Sequence, residues 1–202
     1  VKLREDCKVI HVGHDALFGN IPIRGFQCDL ALTGSAPAFL KDLASLLAPK
    51  LNARTLDARR SVVAARREAM LTGWRNEVAR VKDMRPIHPA WVSHCIANAK
   101  TDDTIVVNEY TLMVEHCDFE KPATFFASSS ASGLGWGMGA ALGAKLAAPE
   151  KLVIATLGDG AYIFANPVAG HYAAHQNDLP ILTVVFNNGM WNAVRRSTLT
   201  VY

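Results

Sequence analysis

Cysteine is scarce and unpatterned: Cys7, Cys28, Cys95 and Cys117 are the four in 202 residues, with no CxxC pair and no histidine at paired spacing. That argues against a disulfide framework and a zinc site, and free thiols in a reducing cytosol are the expectation. A long apolar run is also missing. The longest nearly uncharged stretch, 125–144, is threaded with glycine and serine and reads poorly as a membrane span. Nor does a signal peptide open the chain, because Glu5 and Asp6 stand where an apolar segment should follow. A soluble, cytoplasmic protein is expected. Charged residues make up only 19% against 50% apolar, which excludes a disordered chain and allows a sizeable core. The sequence starts on Val1 rather than methionine and ends on Leu199-Thr200-Val201-Tyr202 without a polar tail, so an excerpt is expected.

What charge there is lies unevenly. Residues 50–85 carry ten Lys/Arg against four Asp/Glu, although the whole chain is only +3. A basic stretch can be a nucleic-acid footprint. Here Val63, Met70, Trp74, Val78 and Val81 recur at helical spacing with arginines between them, which predicts one long helix with a solvated basic face and no nucleic-acid partner.

Three segments follow. Residues 1–50 read as the tail of an α/β unit, with strands at Lys8–Val12 and Cys28–Leu32 and a helix from Ser35 to Leu47 that has Pro37 near its first turn. Residues 51–85 are the helical connector, and Arg85-Pro86-Ile87-His88-Pro89 marks a boundary. Residues 86–202 alternate helices and apolar runs: a helix at Pro89–Ala99, strands at Thr104–Val107 and Thr124–Ala127, and a glycine- and alanine-rich helix at Gly133–Ala148. A strand at Lys151–Leu157, a helix at Asn166–Gln176 and a strand at Ile181–Phe186 complete it. This pattern predicts an α/β fold, a parallel sheet with helices on both faces, whose ligands sit beyond the carboxyl ends of the strands.

Two of those strand ends carry chemistry. One runs into Gly158-Asp159-Gly160, the next into Asn187-Asn188-Gly189, and the twenty-six residues between Gly160 and Asn187 suffice for one right-handed crossover. The carboxylate and the two amides should therefore emerge at one edge of adjacent strands. One carboxylate with neutral oxygen donors suits a hard divalent cation shared with a phosphate ligand. The flanking glycines let backbone N–H groups approach phosphate oxygens.

This spacing is similar to the thiamine diphosphate motif of the acetolactate synthase, pyruvate decarboxylase and benzoylformate decarboxylase family. The resemblance implies that Asp159, Asn188 and the backbone carbonyl of Met190 bind Mg²⁺, and that the metal grips the cofactor diphosphate beside Gly158, Gly160 and Ala161. Asn187 and Asn188 both stay open as the amide ligand. The run Ser132-Gly133-Leu134-Gly135-Trp136-Gly137-Met138-Gly139 resembles the family segment that receives the cofactor rings. By that resemblance Leu134 wedges the cofactor into its bent form and the Ser132 carbonyl accepts from its amino group. Asn108-Glu109-Tyr110-Thr111 resembles a diphosphate-contacting turn, with Thr111 as the contact.

Residues 1–50 resemble the last part of the family's central domain, a partial Rossmann-like unit, with Phe18, Pro22 and Phe26 before Asp29-Leu30 in keeping with that position. Residues 86–202 would then be the diphosphate-binding domain, incomplete at its C-terminus. A 2-oxo acid substrate, a homodimer or tetramer, and a pyrimidine-binding domain that supplies a glutamate to the cofactor are implied; FAD in the complete protein stays open. The expected activity is that of a thiamine diphosphate- and Mg²⁺-dependent lyase or carboligase, with this chain carrying half of the site and inactive alone.

Other readings concern the same residues. A non-catalytic remnant or interaction module would keep the fold without the partner domain. Gly135, Gly137 and Gly139, with Asp159 about twenty residues on, imitate a dinucleotide fingerprint, but the third glycine is misplaced. His171 and His175 stand four apart without the glutamate or third ligand of a zinc helix, which suggests surface histidines. Glu109 ends a strand at the edge where a site would lie, and Trp191 and Arg195-Arg196 follow the asparagines.

Overall fold

A computed structural model of the chain describes residues 3–21, 25, 27–110, 112–127 and 133–202. It divides into two compact units, Val1–Arg67 and Glu68–Tyr202.

In the first unit β1 (Ile10–Gly13) and β2 (Leu30–Thr33) pair in parallel, Ile10 opposite Leu30. Both strands begin two residues later than the sequence pattern predicts. Asp29 accompanies the delay: its Oδ2 accepts from Val9 N at 2.9 Å and its Oδ1 meets Lys8 Nζ at 3.0 Å, so the Val9 N–H bonds to a side chain while the Val9 carbonyl accepts from the backbone of Asp29 and Leu30. The Val9 N–H, then Lys8 and Gln27, hold the Asp29 carboxyl down to about 2. Helix α1 (Ala36–Leu47) starts as expected, with Ser35 Oγ accepting from Ala38 N.

The basic segment forms one helix, α2 (Ala53–Val81), which continues into the second unit. Its apolar stripe is covered only toward the end: Val63 and Met70 are exposed, Trp74 and Val78 half-buried, and Val81 fully buried.

The second unit is built on a four-stranded, all-parallel sheet in the order β4-β3-β5-β6, from β3 (Ile105–Glu109), β4 (Phe125–Ala127), β5 (Val153–Gly158) and β6 (Leu182–Phe186). Period-two alternation sends the side chains of the central strands to opposite faces. Ile105, Val107, Val153, Ala155 and Leu157 pack with Met138 and Ala141 of α4 (Trp136–Ala147). Val106 and Ile154 pack on the other face with Ile96 of α3 (Pro89–Ala99), Leu112 and Cys117. Helices on both faces and near-continuous apolar central strands are what the sequence pattern implies. Cys117 is fully enclosed, and burial pushes its thiol up to about 12, against a smaller downward pull from Lys100. The four cysteines are all free thiols.

Three local features differ from expectation. Helix α4 begins at Trp136 rather than Gly133, because Gly135 adopts a left-handed φ of 87° and can only precede the helix. A helix unforeseen in the sequence, α5 (Asp159–Phe164), follows β5 directly, so Asp159 opens a helix rather than sitting in a free turn. Asn166 does stand before α6 (Pro167–Gln176), but at φ 53° and without a side-chain cap; the proline in the first turn carries the start. A last helix, α7, spans Asn192–Val201. Among the described residues no helix is long and apolar enough to cross a membrane.

Candidate functional site

The strand order places a crevice. From β3 the chain goes to β4 on one side, then crosses to β5 on the other, so β3 and β5 form the switch point of the sheet. Crevices at the carboxyl ends of such a pair are the ligand positions of open α/β sheets. A cavity of about 200 Å³ lies there. Its wall comes from the end of β3 (Glu109, Tyr110), the segment before α4 (Leu134), the β5–α5 junction (Gly158, Gly160, Ala161) and the stretch after β6 (Asn188, Trp191, Asn192, Arg196). Residues as far apart in sequence as Leu134, Gly160 and Asn188 thus share one wall. Thr111 and Ser132, like Pro22 and Phe26, fall outside the described residues.

Beside this cavity the oxygen donors are already tied together. Asp159 Oδ2 accepts from Gly189 N at 2.9 Å, and Asn187 Oδ1 accepts from the same N–H at 3.0 Å. Asn188 Oδ1 accepts from Met190 N at 3.0 Å, and the Met190 carbonyl accepts from Asn192 N at 2.8 Å. Each oxygen is oriented by one backbone N–H and keeps further lone pairs. An all-oxygen set with a single carboxylate has the chemistry a hard divalent cation bridging to phosphate requires. The residues therefore fit Mg²⁺ together with a diphosphate. Asn188 lines the cavity, whereas Asn187 is not part of its wall.

Glu109 turns out to be fully buried, and it does not face a ligand with a free oxygen. Oε1 accepts from Gly135 N at 2.8 Å and Oε2 from Gly137 N at 2.7 Å. Its neighbour Asn108 points to the other face and accepts from Thr156 Oγ1 and Leu112 N. Tyr110, at φ 79°, turns the chain out of β3 into the cavity wall. Sequence reasoning gave Tyr110 and Asn192 no role; their only signal was adjacency to marked residues.

The indole of Trp191 lies over Gly160, where a Cβ would stand 2.7 Å from Cε3. Of the two arginines on α7, Arg196 lines the cavity and Arg195 does not. His171 and His175 are both exposed; Nε2 of His171 lies 2.8 Å from the Tyr162 hydroxyl. Among the described residues no three His, Cys, Asp or Glu side chains converge as a metal cluster. The dinucleotide resemblance fails on topology. That fingerprint joins neighbouring strands, but β3 lies between β4 and β5 here. A larger cavity of about 460 Å³ lies against the end of α2, lined by Trp74, His94 and His116 among others, and includes none of the residues proposed from the sequence to hold the metal or cofactor.

Comparison with known proteins concerns the same part of the chain. Residues 107–202 match the family described as thiamine pyrophosphate enzyme, C-terminal TPP binding domain. That part of the chain is thus similar to the cofactor-binding C-terminal domain of the thiamine pyrophosphate enzymes. The chain is 28% identical over 120 residues to sulfoacetaldehyde acetyltransferase of Castellaniella defragrans, covering 57% of this chain and 20% of that protein. It is 32% identical over 114 residues to benzoylformate decarboxylase of Pseudomonas aeruginosa, covering 54% and 21%. A solved structure, the thiamine diphosphate-dependent 4-hydroxybenzoylformate decarboxylase of Rhodococcus jostii RHA1, superposes with a TM-score of 0.52 at 29% identity, covering 57% of this chain and 22% of that one. The chain spans about a fifth of the length of these relatives.

Proposed function

We propose that this chain holds the diphosphate and Mg²⁺ half of the active site of a 2-oxo acid lyase or carboligase, and that the complete catalyst is an oligomer in which a pyrimidine-binding domain closes the other half. The observation that carries this is the single cavity at the β3/β5 switch point, where Leu134, Gly158, Gly160, Ala161 and Asn188 meet beside Asp159. At about 200 Å³ it is smaller than the ~300–1,000 Å³ of a complete small-molecule site, as half of a shared cleft should be.

In this reading Asp159, Asn188 and the Met190 carbonyl hold the metal, with their oxygens aimed by the N–H groups of Gly189, Met190 and Asn192. Gly158, Gly160 and Ala161 admit the diphosphate close to backbone, and Arg196 adds positive charge to the same wall. Leu134 supplies shape where the rings lie, and Thr111 and Ser132 supply the remaining polar contacts. Thiamine diphosphate, when bound, supplies the electron sink that 2-oxo acid decarboxylation needs. This chain's residues bind and orient it. Among the described residues Glu109 is the carboxylate in the cavity wall, and it is held inward, 0% exposed, with Oε1 accepting from Gly135 N and Oε2 from Gly137 N. The setting proposed is the cytoplasm, with no nucleic acid as partner.

Calorimetric titration with thiamine diphosphate, with and without Mg²⁺, tests the reading, with NADH as the comparator. Binding that requires Mg²⁺ is expected, together with CO₂ release from pyruvate or benzoylformate no faster than with cofactor alone. NADH binding in place of thiamine diphosphate would sink it. Leu134→Ala separates shape from charge. In the complete enzyme it should cut turnover ~10-fold or more while affinity changes less than about threefold, since nothing at the phosphates is altered. An equal loss of both, or of neither, removes Leu134 from this role.

A further inference from the structure

We propose that Glu109 is a positioning residue that sets the shape of the 133–137 turn, and with it Leu134, before a cofactor arrives; the part of this that concerns the cofactor rests on the functional reading above. Strand alternation puts Glu109 on the α4 face of β3, opposite Leu157 in the ladder. There it is 0% exposed, and among the described residues no ion pair includes it. A buried carboxylate without a cation is costly unless hydrogen bonds satisfy it. The satisfaction comes from Gly135 N and Gly137 N, two of the N–H groups that the start of α4 leaves without an intrahelical partner. The positive end of the helix dipole reinforces the pairing.

Both donors belong to backbone packed too closely to carry a side chain. A Cβ on Gly135 would stand 2.8 Å from Ala165 N, and one on Gly137 would stand 2.4 Å from Leu157 Cδ2. Gly137 is seated on Leu157 of the sheet and Gly135 against the backbone of Ala165, while the neighbouring strand-end carboxylate of Glu109 bonds to both. Leu134, joined directly to Gly135, lines the cavity and inherits that placement. A carboxylate accepts at both oxygens, whereas a glutamine offers one acceptor and turns an NH₂ toward the other N–H. Glu109→Gln therefore keeps the volume and unmakes half of the clamp. A turn held in shape beforehand spares the ligand the ordering cost, which appears as affinity.

Amide exchange followed by NMR on cofactor-free protein reads the clamp alone. In the wild type, Gly135 and Gly137 should exchange at least ~10-fold more slowly than Gly133 and Leu134 beside them. In Glu109→Gln these two amides should lose about that factor while β3 and β5 stay protected, and thiamine diphosphate–Mg²⁺ affinity should fall ~10-fold. Glu109→Asp, which retains the carboxylate on a shorter stem, should recover part of both. Uniform exchange across the wild-type turn overturns the proposal, and that result stands even if the variants fail to fold. Deprotection of β3 and β5 as large as that of the turn also overturns it, by reducing Glu109 to core packing. Faster exchange with unchanged affinity overturns it as well. A wild type that shows the protected pair but binds no thiamine diphosphate sinks the cofactor reading instead, and leaves the clamp established by exchange.

Discussion

Asp159→Ala is expected to weaken Mg²⁺-dependent binding of thiamine diphosphate by at least ~100-fold, more than any other substitution at the site. It removes the only charge from the proposed ligand set, whose other members are an amide oxygen and a backbone carbonyl. Asp159 also accepts from Gly189 N at 2.9 Å, so the alanine variant loosens the loop that presents Asn188 and Met190. Asp159→Asn separates the two effects. The asparagine keeps an acceptor for Gly189 but lacks the charge, and it should still lose most of the affinity if the metal is the reason. Asn188→Ala should cost more than Asn187→Ala, because Asn188 is the one in the cavity wall. Isothermal titration at fixed Mg²⁺ measures all four variants. Unchanged affinity in Asp159→Ala would remove the metal from this edge of the sheet.

The parts of this site that were legible in the sequence are those whose chemistry is carried by residue type at a strand end. Gly-Asp-Gly and Asn-Asn each follow an apolar run, and the twenty-six residues between Gly160 and Asn187 are enough for a crossover, so one shared edge followed from spacing alone. The two-faced sheet was legible for a similar reason, since 105–107 and 152–155 are apolar without alternation. What escaped depends on backbone angles and on distant partners. Helix α5 is only six residues long and has no amphipathic period to announce it. The true start of α4 depends on the left-handed Gly135, and four glycines between 133 and 139 offered four places for such a turn. Glu109 was legible as a carboxylate at the right edge. Its partners lie 26 and 28 residues away and are backbone N–H groups, which no side-chain pattern encodes.

The packing beneath that turn supports the last expectation, a paired one. Leu157 is fully buried on the α4 face of β5, and Leu157→Ala should destabilise the protein by about 2–5 kcal/mol through lost burial and the cavity left behind. Gly137→Ala errs the other way. Its Cβ would meet Leu157 Cδ2 at 2.4 Å and Glu109 Oε2 at 3.0 Å, so overpacking and a strained hydrogen bond should cost about 1–3 kcal/mol. The two defects are complementary in shape, because the methyl that Gly137→Ala adds points into space that Leu157→Ala vacates. The double variant should therefore be less destabilised than the sum of the singles by about 1 kcal/mol or more, a coupling expected only of side chains in direct contact. Relief should stay partial, since Glu109 Cβ at 3.2 Å and Oε2 still crowd the new methyl. Urea unfolding of the four proteins measures the cycle, with equal m-values as the check that each unfolds alike. Strict additivity would mean that α4 does not press on Leu157 at Gly137, and the tight seating of the 133–137 turn on the sheet would have to be given up.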